Sequence, residues 1–351
     1  MRIAVTGGGS GGHIFPALAV ALHLQQEGHE VHYVGAEGGM ETRIVPPSGV
    51  PFHTLPAGKY NRRTLQPREA YKALAGLWAA GRLLKELAPQ AILTTGGFAG
   101  FPIAFVGQRR GVPVVVLEQN ATLGLANRWL APRAARLALA MEAELPPVLR
   151  AKAVVTGMPV REVRVPRDEA RRALGLDPDL PVLLVLGGSQ GSLALNQTLP
   201  ELLRPWLSGW QVLHQTGERG FEAMRERTRG WSGYHVRAFV DAPQAWSAAD
   251  AAVTRAGATT LAEAAFHAKP LLLVPLPATV DGGAQERNAA YYVARRAAYV
   301  APQDDPAALA DRLEALLADE AGRIKLSRRI GELSPAGATE RLARLLLEVA
   351  R

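Results

Sequence analysis

Short continuous apolar runs alternate with longer amphipathic stretches along this chain, and the alternation starts at the first residues. Arg2 to Thr6 has strand length, Gly7 to Gly12 is a glycine loop, Ile14 to Gln26 carries a helical period and Glu30 to Val34 is a second strand, predicting a βαβ opening. Ala91 to Thr95 and Val112 to Leu117 show none of the polar alternation of a half-exposed strand, as parallel strands covered on both faces require. The pattern then restarts. Pro181 to Leu186 predicts a strand, Gly187 to Gly191 a second glycine loop and Leu193 to Leu203 a helix; strands follow at Trp210 to His214, Tyr234 to Ala238, Ala251 to Thr254 and Pro270 to Val274. Pro67 opens a helix predicted to run to Leu87, and Thr339 to Ala350 predicts a closing amphipathic helix.

This order predicts an α/β protein of two Rossmann-like halves. Their join falls within Val154 to Pro178, where the stretch MPVREVRVPRDE breaks both periodicities. A length of 351 residues agrees with two domains, and 48% hydrophobic against 21% charged residues excludes a disordered chain. The absence of cysteine excludes disulfides, thiolate metal sites and cysteine nucleophiles, and fits a reducing compartment. The uncharged run Ala91 to Gln108 is broken by Gly96, Gly97, Gly100 and Pro102 and falls short of the roughly 20 residues of a spanning helix. With no secretion signal legible before the first strand, the expectation is a protein that stays inside the cell and does not span its membrane.

Charge narrows the picture by its location. Of the net +8, the first 150 residues carry +6, and the segment 59–85 alone holds Lys59, Arg62, Arg63, Arg68, Lys72, Arg82 and Lys85 against Glu69. On the helix predicted there, Ala73, Leu77, Ala80, Leu84 and Leu87 share a stripe assigned to the core. Tyr71, Leu74 and Trp78 form another, flanked by Arg68, Arg82 and Lys85. An outward aromatic and basic stripe suits a headgroup layer, whereas an ordinary solvated face with Trp78 under a loop is the plainer alternative.

The chemistry concentrates in the glycine loops. Gly7, Gly9 and Gly12 satisfy G-x-G-x-x-G after a strand, and His13 stands at the loop exit. A dinucleotide enzyme needs an acidic residue at the end of the second strand, and Glu37 is only an approximate match. The loop Gly187 to Gly191 offers backbone N–H groups, Ser189 and a helix N-terminus, and Thr254 to Glu263 repeats the strand, glycine turn and helix start. Two such N-termini in one half suit a nucleoside diphosphate, with Glu263 able to accept from ribose hydroxyls. Asp177-Pro178-Asp179 reads as a loop, and the eight histidines form no H-x-x-x-H or H-x-H pair, so no metal is expected.

Six ordered motifs carry a resemblance: GGGSGGHIFPALAV at 7–20, LEQNATLGLANRWLA at 117–131, TGMPVR at 156–161, GGSQGSLALN at 187–196, HQTG at 214–217 and the glutamate segment at 254–263. Together they resemble the MurG family of peptidoglycan N-acetylglucosaminyltransferases. The resemblance implies a GT-B fold, two Rossmann-like domains with an interdomain cleft. Residues 1–160 would form an acceptor and membrane-facing domain, 161–335 a domain for UDP-N-acetylglucosamine (UDP-GlcNAc), and 336–351 a helix returning to the first. It implies inverting transfer of N-acetylglucosamine to the C4 hydroxyl of undecaprenyl-diphospho-MurNAc-pentapeptide (lipid I), giving lipid II. The location it implies is peripheral, on the cytoplasmic face of the membrane.

Carried onto this sequence, the resemblance makes Gly188, Ser189 and Gln190 diphosphate contacts, Arg161 a cation near them, Glu263 the ribose ligand, and Gly257 and Thr260 neighbours of the donor. Val240 is similar to the position whose backbone meets uracil, and Gln285 and Asn288 to those that hold the sugar hydroxyls. Ser10, Gly11, Gly12 and Asn120 fall in the acceptor loops. His13 is the expected general base, with Glu118 as its orienting partner or the base itself. Leu117, Gly100, Ala284 and Met158 depart from the family pattern. No cofactor is implied. The partners are UDP-GlcNAc, lipid I, an anionic membrane surface and proteins of cell-wall synthesis, without nucleic acid. An NAD-dependent oxidoreductase, another UDP-sugar transferase or a non-catalytic UDP-sugar binder remain alternatives, separated by a product assay.

Overall fold

The computed structural model describes residues 1–58, 67–188, 190–334 and 336–351. The chain divides into two units, Met1–Val160 with Gly337–Arg351, and Arg161–Ala336.

The first unit is a parallel seven-stranded sheet of β1 (Arg2–Thr6), β2 (Glu30–Ala36), β3 (Phe52–Leu55), β4 (Ala91–Thr94), β5 (Val114–Glu118), β6 (Arg136–Leu139) and β7 (Ala153–Val155). Their order is β3-β2-β1-β4-β5-β6-β7, so the sheet changes direction at β1, which pairs with β2 on one side and β4 on the other. β4 and β5 are buried throughout, which is why both read as unbroken apolar runs. Edge strand β3 and strands β6 and β7 are absent from the sequence pattern. The terminal helix Ala338–Val349 buries Leu342, Ala343, Leu345 and Leu346 within this unit, and Arg341 Nε donates to the Thr156 carbonyl beyond β7 at 2.9 Å.

The second unit repeats the plan with β8 (Val182–Leu186), β9 (Gln211–Gln215), β10 (Tyr234–Arg237), β11 (Ala251–Thr254), β12 (Leu271–Leu273) and β13 (Tyr299–Val300). Its parallel order is β10-β9-β8-β11-β12-β13, and here the reversal lies between β8 and β11. Strand limits differ from the sequence pattern by one or two residues, and β13 is too short to have been seen.

The helix Pro67–Leu87 runs over the predicted residues. Its core stripe is narrower than the helical period suggests: Ala80, Leu84 and Leu87 are buried, but Leu77 is half-buried and Ala73 is exposed. Burial begins at Gly76, where a Cβ would overlap the Pro56 carbonyl, so the turns before it lie outside the packed core. Tyr71, Leu74 and Trp78 are 72%, 68% and 68% exposed, and the Arg82 guanidinium lies 5.1 Å from the Trp78 ring centroid. Trp78 is therefore not tucked under a loop. Arg68 and Lys85 are also exposed, while Lys59, Arg62 and Arg63 lie outside the described residues. Among the described residues, no helix is long and apolar enough to cross a membrane.

Candidate functional site

Open parallel sheets bind ligands beyond the carboxyl ends of their strands, where the strand order reverses. In the first unit that place is the end of β1, β4 and β5. His13 stands in the first turn of the helix Gly11–Gln26, and its Nδ1 lies 2.7 Å from the Thr95 carbonyl after β4. A carbonyl can only accept, so Nδ1 carries the hydrogen and Nε2 keeps its lone pair. Thr95 Oγ1 donates back to the His13 carbonyl at 2.8 Å, and the Gln119 amide nitrogen lies 3.2 Å from the same Nδ1. Burial lowers the His13 pKa from 6.5, outweighing the Thr95 bond and the charges of Glu118 and Glu41, so the ring is neutral near pH 7.

Ser10 is the N-cap of that helix, with an extended backbone and a hydroxyl that makes no capping bond. The amides of Gly11 and Gly12 have no acceptor among the described residues, leaving an N-terminus able to receive an oxygen ligand.

Glu118 departs from its expected role. It is 2% exposed, and its carboxylate accepts from the Asn120 amide at 3.0 Å, the Gly124 amide at 2.8 Å and Asn127 Nδ2 at 2.8 Å. With its oxygens holding the loop 118–127, it is neither free to take a substrate proton nor a hydrogen-bond partner of His13; it reaches the ring only through its charge. The Thr95 carbonyl orients the imidazole instead. Asn120 also donates its side-chain N–H to Glu118. Leu117 is fully buried, so its departure from the family pattern lies in the core.

The acidic residue that matters to the first glycine loop is Glu41, which the sequence reading missed. Glu37 is exposed. Glu41 is fully buried, and its carboxylate accepts from the Ala36 amide at 2.8 Å and the Gly9 amide at 3.2 Å. A Cβ at Gly8 or Gly39 would overlap that carboxylate, which explains the glycines. Its oxygens are spent on backbone, so it is not a ribose ligand of the dinucleotide type.

In the second unit the corresponding edge joins the loops after β8, β11 and β12. Gly188 and Gly191 have φ of +94° and +75°, and a Cβ at Gly191 would also overlap the Thr216 backbone. Gln190 is exposed, and Ser189 lies outside the described residues. Gly257 is the extended N-cap of the helix Ala258–Phe266, with Thr260 half-buried in its first turns.

Glu263 lies further along that helix, and its Oε2 accepts from Trp246 Nε1 at 3.1 Å. Burial pushes the Glu263 pKa up to about 7, against the Trp246 bond and the Arg161 charge. Arg161 itself pairs with Asp241 at 2.8 Å, directly after the half-buried Val240. Gln285 Oε1 accepts from the amides of Ala256 at 3.2 Å and Leu276 at 3.1 Å, tying together the loops after β11 and β12.

Asn288 corrects a second expectation. It is fully buried and donates Nδ2 to the Ala256 carbonyl at 3.0 Å, so it supports the turn before Gly257 and is not exposed to a sugar. Thr95 closes one predicted strand and Gln119 stands two residues past another, positions at a strand end that mark them as candidates. Trp246 had no such signal, because only folding brings its indole to Glu263.

Comparison with known proteins agrees with this architecture. Residues 3–139 match the glycosyltransferase family 28 N-terminal domain, and residues 182–332 the glycosyltransferase family 28 C-terminal domain. A Thermus thermophilus protein named UDP-N-acetylglucosamine--N-acetylmuramyl-(pentapeptide) pyrophosphoryl-undecaprenol N-acetylglucosamine transferase is 52% identical over 344 residues, covering 98% of each chain. One of the same name from Nitrosococcus oceani is 38% identical over all of this chain and 99% of its own. The crystal structure of Acinetobacter baumannii MurG superposes with a TM-score of 0.81 at 28% identity, over 99% of both chains. A calicheamicin glycosyltransferase, at TM-score 0.70 and 17% identity over 99% of this chain and 98% of its own, shares the fold.

Proposed function

The chain belongs to glycosyltransferase family 28, among its UDP-N-acetylglucosamine--N-acetylmuramyl-(pentapeptide) pyrophosphoryl-undecaprenol N-acetylglucosamine transferases, and on that footing we propose how its residues carry the reaction. It transfers N-acetylglucosamine from UDP-GlcNAc to lipid I, forming lipid II. The first unit takes the acceptor and the second the donor.

The observation that carries the mechanism is the tautomer of His13. With Nδ1–H held by the Thr95 carbonyl, Nε2 is the nitrogen available to take the proton of the acceptor C4 hydroxyl as that oxygen attacks the anomeric carbon opposite the departing UDP. The C1–O bond to the diphosphate breaks, the new glycosidic bond forms with inversion, and the proton ends on the imidazole. Ser10 and the amides of Gly11 and Gly12 receive acceptor oxygens. Glu263 accepts from the ribose through Oε1, and Gly188, Ser189 and Gln190 meet the diphosphate. Arg161 adds positive charge nearby, Val240 offers its backbone to the base, and the Gln285 amide faces the sugar.

The exposed aromatic and basic stripe on the helix Pro67–Leu87 supports docking on an anionic membrane surface at its cytoplasmic face, where the polyprenyl acceptor resides. A product assay tests the whole reading. UDP release that depends on a lipid I analogue is the expected result; UDP-GlcNAc binding with no release overturns it in favour of a binding protein, and hydride transfer in favour of a dehydrogenase.

A further inference from the structure

The second unit buries a positive charge that it does not balance. Arg255, directly after β11, is 6% exposed. Its guanidinium donates to the carbonyls of Val274 at 2.9 Å and Pro275 at 3.2 Å, to the Ser192 hydroxyl at 2.8 Å and to Gln303 Oε1 at 2.8 Å. All four acceptors are neutral. The Nε is buried with no partner, and no carboxylate pairs with this arginine among the described residues. Burial alone draws its pKa down, with no acidic neighbour opposing the shift. The same unit treats its other deeply buried arginine differently, pairing Arg171 with Asp250. An ion removed from water without a counter-charge is costly, and it persists where a ligand completes it.

Its position identifies the missing charge. The Arg255 amide bonds to the Leu186 carbonyl at the end of β8, so the residue lies at the β8–β11 reversal. Ser192, which it holds, is the N-cap of the helix Leu193–Leu203 and accepts from the Leu195 amide at 3.4 Å. The helix Ala258–Phe266 begins three residues after Arg255. A buried guanidinium and two positive helix ends therefore face one edge of one sheet.

We propose that Arg255 is the fixed counter-charge for the diphosphate of the donor nucleotide, a positioning residue that acts through Ser192 and through its field without touching the ligand. The inference rests on the donor reading above. A residue of this kind favours each added phosphate and is indifferent to the nucleoside, whereas a purely structural tie between the β8, β11 and β12 loops affects every ligand alike.

Gln303→Glu separates the two. It supplies the absent carboxylate in the place where Arg255 already has an acceptor, with almost no change of shape. Calorimetric titration of uridine, UMP and UDP is the readout, beside the melting temperature of the free protein. The expected result is a higher melting temperature, uridine affinity within about 2-fold of the parent and UDP affinity lowered roughly 10-fold or more. Equal losses for uridine and UDP, or an unchanged UDP affinity, overturn the proposal. Arg255→Met and Arg255→Lys give the complementary pair: methionine flattens the rise in affinity from uridine to UDP, and lysine, keeping the charge, restores most of it. Lysine no better than methionine also overturns it. A parent protein whose affinity does not rise from uridine to UDP instead overturns the donor reading itself.

Discussion

Trp246 donates its indole N–H to one oxygen of Glu263 at 3.1 Å, leaving the other oxygen as the acceptor available to a ribose. The indole is fully buried and cannot turn away, so the carboxylate plane is set before a nucleotide arrives.

The raised Glu263 pKa of about 7 gives the donor site a pH dependence. Only the ionised carboxylate accepts from both ribose hydroxyls, so KM for UDP-GlcNAc falls as pH rises from 6 to 8. Trp246→Phe removes a bond to the charged form and moves that inflection upward; Glu263→Gln abolishes it. For stability the sign is opposite. The folded pKa lies above the unfolded value, so the contribution is full below about pH 4.5 and is lost as pH rises through about 7. Urea midpoints therefore fall as pH rises from about 4.5 to about 7, and Glu263→Gln removes that fall.

His13→Ala lowers kcat by roughly 100- to 10,000-fold, the usual worth of a general base. Donor KM stays within about 2-fold, because the proposed mechanism gives His13 no contact with the nucleotide. The imidazole pKa is lowered by burial, so the acid limb of kcat/KM lies below 6.5. Comparable damage to kcat and donor KM assigns His13 to binding instead.

Glu118→Gln tests the support role of that carboxylate. An amide cannot accept at both ends, so either the Asn120 amide on one oxygen or the Gly124 amide and Asn127 on the other lose their acceptor, at about 1–3 kcal/mol for each donor stranded. The melting temperature drops, while kcat falls less than in His13→Ala. The reverse ranking returns Glu118 to the chemistry.

Trp78→Ser with Arg82→Glu removes the exposed ring and reverses the charge stacked on it. Sedimentation with vesicles containing anionic lipid reads the outcome: partitioning falls at least roughly 10-fold, since each basic residue near such a surface contributes about 1 kcal/mol. Soluble-substrate turnover is unaffected. Unchanged partitioning rules the stripe out as the docking surface.

Asp250→Ala strands the fully buried Arg171, which it pairs together with Arg167 and the Val182 amide. Chemical denaturation is expected to show a loss of about 3–5 kcal/mol, the cost of an uncompensated buried charge.

Sequence by itself determined the two strand, glycine-loop and helix repeats, because doubly covered parallel strands write continuous apolar runs and positive-φ turns write glycines, both local properties. It also placed His13 at the exit of the first glycine loop and marked the family through ordered motifs. Tertiary structure decided what those residues do. Glu118 lies next to the acceptor loop in sequence, yet loop closure turns its oxygens onto Asn120, Gly124 and Asn127. Asn288 shares a motif with Gln285 but faces inward on its helix. Glu41 under the first glycine loop, Trp246 beside Glu263 and Arg255 without an acid beside it have no local signature. Charge balance and hydrogen-bond occupancy are sums over neighbours brought from distant parts of the chain, and only the folded chain supplies those neighbours.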